Sequence, residues 1–81
     1  MKEVRFTHHA TEKSTQRNIG KGSIVSAIKN PDKIEPGRNE TKIAQKGIRN
    51  RLLRVVFRED EYNYMVITAD FTDNERYEVE E

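Results

Sequence analysis

Between residues 51 and 71 apolar side chains recur at every second position, the period of a strand with one buried face. In RLLRVVFRE, Leu53, Val55 and Phe57 share one face, while Leu52, Arg54, Val56 and Arg58 share the other. NYMVITADF sets Met65, Ile67, Ala69 and Phe71 against Tyr64, Val66, Thr68 and Asp70. The turn-forming EDEY lies between the two runs, so strands are expected at 51–59 and 63–71, with a third at 41–46 completing a meander. KEVRF also alternates, placing Val4 and Phe6 on one face of a short first strand.

The period changes between these strands. Thr7 offers an N-cap, and a helix is expected from about His8 to Asn18 with Gly20 as its stop, although Ala10 and the flanking Ile19 are nearly all its apolar face. Gly22 and Ser23 open a second helix, SIVSAIKN, in which Ile24 and Ile28 stack four residues apart beside Val25 and Ala27, and Pro31 ends it. EPGRNE is turn chemistry, and TDNERYEVEE opens with a Thr or Asp cap suited to a short terminal helix. The order βααβββ predicts a single α+β domain over residues 1–81, two helices packed on a small antiparallel sheet. Its expected core is Leu53, Val55, Phe57, Met65 and Ile67 against Ile24 and Ile28.

Composition narrows the chemistry. Apolar residues make up 33% of the 81 and charged residues 36%, so the core is small and has room for completion by a partner. With no cysteine, a disulfide framework, a thiolate metal site and a thiol nucleophile are all excluded. The longest mostly apolar run, LLRVVF, is interrupted by Arg54 and too short to span a bilayer, and the N-terminus lacks the order of a signal peptide, so a soluble cytoplasmic protein without membrane contact is expected. The net charge of +1 conceals a division. Residues 1–58 hold 14 Lys and Arg against five acids, whereas residues 59–81 hold only Arg76 against nine acids. A basic portion of this kind suits RNA or an acidic protein; alternatively, strands from the two portions neutralise each other.

FTHHATEKSTQRNI, AIKNPDKIEPGR, RLLRVVFRE and YMVITADFTDNERYE together resemble the short prokaryotic domain-of-unknown-function family 4258. The resemblance is carried by Phe6, Thr7, His9, Ala10, Glu12, Arg17, Ile19, Asn30, Pro31, Asp32, the run Leu52 to Val56, and VIT at 66–68. The closing VIT and ERYE are also similar to the BrnT toxins of the RelE-like superfamily of small ribonucleases. That resemblance implies a RelE-like arrangement of helices on an antiparallel sheet and raises the expectation of a toxin held by an antitoxin partner. Its activity would be metal-independent endoribonuclease cleavage, free or on the ribosome. The alternative is a non-enzymatic module binding protein or nucleic acid, and either form could self-associate.

Metal-free RNA cleavage needs a base for the 2′-hydroxyl, cations for the phosphorane and a donor for the leaving oxygen. His8 and His9 lie four and three residues before Glu12, so on a helix that carboxylate could hold either imidazole, and the family pattern selects His9. His9 is then either the base or a histidine bonded at the helix start. Adjacent helical residues diverge by about 100°, and no third ligand completes the pair, so no metal or other cofactor is expected. Arg54 stands among apolar residues on a strand, where a charge needs a carboxylate, an anion or open solvent. Arg54 and Arg58 project from one face, and Lys46, Arg49 and Arg51 cluster near the preceding turn. Arg17 can clamp a phosphate or bond within the fold. Arg76 and Tyr77 stand where BrnT-like chains carry similar residues. The candidates are therefore His9, Arg54 and Arg76 for catalysis, with Arg17, Lys46, Arg51 and Arg58 for RNA binding.

Overall fold

The computed structural model describes residues 2–73. Their elements are β1 (Glu3–Phe6), α1 (His8–Gln16), α2 (Lys21–Lys29), β2 (Lys33–Pro36), β3 (Lys42–Ile48), β4 (Arg51–Glu59) and β5 (Asn63–Asp73). One sheet holds all five strands in the order β1-β5-β4-β3-β2. From β2 to β5 neighbours pair antiparallel through hairpins, whereas β1 lies parallel to β5 because two helices intervene before the chain re-enters the sheet. The α+β class and both helices are as expected. The sheet, however, is mixed, and it contains a strand that the sequence pattern does not reveal.

That strand is β2, whose KIEP is too short to show an alternation and is held by pairing from Lys33↔Gln45 to Pro36↔Lys42. EPGRNE is thus a strand end followed by a turn. In the turn Gly37 N–H donates to the Thr41 carbonyl at 2.8 Å, and Asn39 and Glu40 take φ values of 55° and 64°. A side chain at Gly37 would collide with Thr41 Oγ1, so a larger residue there requires Thr41 to shift.

Helix α1 starts where Thr7 predicts, with the Ala10 N–H donating to Thr7 Oγ1 at 3.0 Å. Its end differs from expectation. Asn18 takes the left-handed conformation at φ 58°, while the Ile19 N–H donates to the Ser14 carbonyl and the Asn18 N–H to that of Thr15. These two bonds form a Schellman stop with asparagine in the usual glycine place, so the helix ends at Gln16 and Ile19 is folded into the core. Gly20 is instead the N-cap of α2.

Both helices cover the same side of the sheet, α1 over β5 and β1, α2 over β4 and β3. Ile24 and Ile28 pack there with Leu53, Val55 and Phe57, as the alternation of β4 requires. Each such fully buried side chain contributes about 1.5–3 kcal/mol. The β5 assignment is corrected by a bulge: Val56 pairs with Thr68 and Phe57 with Val66, leaving Ile67 as an extra residue. Ala69 and Phe71 face the helices as expected, but on the other side of the bulge the parity reverses. Val66, fully buried, and Tyr64 therefore join the core, while Met65 lies opposite Arg58 on the face that no described helix covers. Met65 and Ile67 are only half-buried. The expected terminal helix lies mostly outside the described residues, and Thr72 and Asp73, offered as its caps, still belong to β5.

Candidate functional site

Several residues that carry the family resemblance have structural work. Thr7 caps α1 and Ile19 completes its stop. Asp32 N–H donates to the Gln45 carbonyl while its carboxylate accepts the Gly47 N–H at 2.8 Å, tying the end of α2 to β3. Arg17 reaches across to β5 and donates to the Ala69 carbonyl at 2.7 Å. Among the described residues, the side chains of His9, Glu12 and Arg54 form no hydrogen bond or ion pair of this kind.

The sheet separates these three. His9 and Glu12 are on α1, in the helical layer, whereas Arg54 has the parity of Leu52 and Val56 and lies on the opposite, uncovered face. Nor does Glu12 hold an imidazole: among the described residues neither His8 nor His9 forms an ion pair within 4 Å. The helix start is fixed by Thr7 instead. Arg76 lies outside the described residues.

Three of the four expected RNA-binding cations lie toward one end of the helical side. In register, Lys46 on β3 stands beside Leu53 on β4 and Phe71 on β5. Lys46 Nζ donates to the Asn30 carbonyl at 2.9 Å, at the negative end of α2. The Arg51 guanidinium lies 4.0 Å from the centroid of the Phe71 ring, and Arg17 is bonded to Ala69 two residues earlier on β5. No carboxylate described pairs with Arg17, Lys46 or Arg51. Carbonyl oxygens and a ring position these cations without neutralising them, and each bond leaves further N–H donors free. Arg58 is not part of this group: it points from the other face and approaches the Asn39 carbonyl, at 3.4 Å.

The uncovered face has a different pattern. Lys33, Gln45, Arg54 and Asp70 stand in register across β2, β3, β4 and β5, beside a second row of Glu35, Ile43, Val56 and Thr68. The Gln45 amide and then Lys33, 3.3 Å away, hold the Glu35 carboxyl below its ordinary range. Arg54 and Asp70 are both half-buried, and neither forms a hydrogen bond or ion pair among the described residues. No described group of three or more His, Cys, Asp or Glu could hold a metal ion, and no described helix is long and apolar enough to cross a membrane.

Residues 6–70 match the family model described as Domain of unknown function (DUF4258). The chain belongs to that family. No curated protein and no solved structure matches it. Within this DUF4258 domain, sequence reasoning missed Phe71 as the platform beneath Arg51 and Asn30 as the acceptor for Lys46. The alternation of β4 placed Arg51 on a face, but only the pairing of β4 with β5 supplies the ring.

Proposed function

We propose that this protein is a small binding module for single-stranded RNA, engaged through Arg17, Lys46 and Arg51. The observation that carries this reading is the placement of these three cations toward one end of the helical side without a described carboxylate partner. Neighbouring strands are about 4.8 Å apart, so long cationic side chains on β3 and β4 and above β5 can follow successive phosphates. A guanidinium resting on an aromatic ring presents its other face to a base, as suits splayed single strands. This favours the binding-module alternative.

A RelE- or BrnT-like toxin, cleaving RNA and held by an acidic antitoxin, is the second reading. It draws on Arg54, a half-buried cation without an ion pair among the described residues, as its phosphate clamp. His9 lies in the other layer, so in this reading a group other than His9 takes the proton beside Arg54.

Fluorescence anisotropy of the full chain with a labelled single-stranded oligonucleotide, repeated over a salt series, tests the proposal. Lys46→Gln and Arg51→Gln should each weaken binding and flatten the log–log salt slope by about 0.7, the contribution of one phosphate contact on a single strand. Arg58→Gln should bind as the parent does. Absence of binding at low salt, or slopes unchanged in both variants, would overturn it. RNA cleavage with growth arrest, lost in Arg54→Ala but kept in His9→Ala, would instead establish the toxin reading.

A further inference from the structure

We propose that the uncovered sheet face is the interface of a twofold homodimer, two copies packing sheet against sheet through the row Lys33–Gln45–Arg54–Asp70. The face opposite the helices is not a solvated polar surface. Ile43 and Val56, each partly exposed, line an open groove on it with Pro36, Gly37, Arg38 and Thr41, whereas Leu52 and Gln45 are already shielded within the chain. Edge-to-edge growth is disfavoured, since β1 and β2 are edge strands of four residues each and β2 ends in Pro36.

The charge pattern identifies the occupant. Read across the strands, the row is cation, amide, cation, anion. A twofold axis parallel to the strands, between β3 and β4 and between the two sheets, reverses the row in the second copy. Lys33 then stands over Asp70 of the other copy and Asp70 over its Lys33, while Arg54 stands over Gln45 and Gln45 over Arg54. In the adjacent row the same operation sets Ile43 on Val56 twice and Glu35 on Thr68. The half-buried Asp70 and Arg54, which lack bonded partners among the described residues, thereby receive a cation and an amide oxygen respectively. Lys33 is free to change partner, because its bond to Glu35 at 3.3 Å is a solvent-exposed pair of small value. Aligned sheets cross at about 30°, which keeps the central residues over one another and leaves the outer Lys33 and Asp70 within reach of a lysine side chain. This dimer does not rest on the RNA reading: it uses the other face and leaves the side carrying Arg17, Lys46 and Arg51 uncovered by the second copy.

Complementary charge reversal gives the test. By sedimentation equilibrium the parent should dimerise, and Lys33→Asp and Asp70→Lys should each weaken self-association about tenfold or more, since each creates two like-charge contacts. An equimolar mixture of the two variants should recover the association. In the mixed dimer the two reversed charges, one from each copy, face each other, and the unaltered Lys33 of one copy meets the unaltered Asp70 of the other. Circular dichroism of each variant checks folding, and the mixture controls for misfolding, since two damaged chains would not restore each other. A parent that stays monomeric at high concentration overturns the proposal, as do variants that dimerise undiminished or a mixture that fails to associate. Dimerisation appearing only after removal of residues 74–81 would assign the face to that segment instead.

Discussion

The two sides of the sheet obey different rules. On the helical side the strand residues that meet helices are large and apolar in β4 and are Val66, Ala69 and the aromatic Tyr64 and Phe71 in β5, and four of the buried positions are alanines, Ala10, Ala27, Ala44 and Ala69, which let helix and sheet backbones approach closely. On the uncovered side the same strands present alternating apolar and charged residues with no bonded partner described for Arg54 or Asp70. One side derives stability from the main apolar core; the other mixes apolar and charged side chains, with Arg54 opposite Asp70 and close enough to Glu35 to help hold that carboxyl ionised. Cations reflect the division too, because those of the helical side are positioned by carbonyls and a ring.

The largest effect that could break this comparison is in β4 itself. Phe57→Ala should destabilise by about 3–5 kcal/mol in urea unfolding, against about 1 kcal/mol for Val56→Ala on the other face. Equal losses would mean that the faces are not distinct. The bulge is tested next: Val66→Thr buries a hydroxyl and should cost about 1–3 kcal/mol, while Met65→Thr should cost clearly less, and the reverse order would restore unbroken alternation to β5. Arg17→Met, which removes the bond to the Ala69 carbonyl while keeping the aliphatic stem, should cost about 1–2 kcal/mol, and Thr7→Ala, which uncaps α1, about 1 kcal/mol by the same measurement.

The smallest effect concerns the ends of the sheet. Glu59 lies between Lys2 and Lys42, with Lys42 Nζ at 2.9 Å, and hydrogen bonds from Lys2 first and Lys42 second hold its carboxyl below the ordinary range. Lys2 is correspondingly raised, chiefly by Glu59. A folded-state value below the unfolded one means that the Glu59 contribution is complete above about pH 4.3 and is lost as pH falls through the folded value. The Lys2 contribution is complete below about pH 10.4 and is lost as pH rises through its own. Glu59→Gln should therefore narrow the difference in thermal midpoint between neutral and acid solution. An unchanged difference would show that the pair contributes nothing to the acid limb.

Sequence alone determined what local chemistry can fix. The alternation of RLLRVVFRE placed Leu53, Val55 and Phe57 in the core because a strand's parity is set by its own backbone. Thr7 marked the start of α1 and the spacing of Ile24 and Ile28 the buried stripe of α2, since caps and helix faces depend on residues within one or two turns. Tertiary pairing decided the rest. The KIEP strand exists only because β3 supplies its hydrogen bonds, and β1 is parallel to β5 only because two helices bring it to that edge. The bulge at Ile67 moved Val66 into the core and Met65 out of it, a one-residue shift in pairing that no count along one strand contains. The candidate residues divide in the same way: their cationic and imidazole chemistry was legible in the sequence. Which of them share a surface was not, because the sheet that parts His9 from Arg54 and gathers Arg17, Lys46 and Arg51 is assembled from strands distant in the chain.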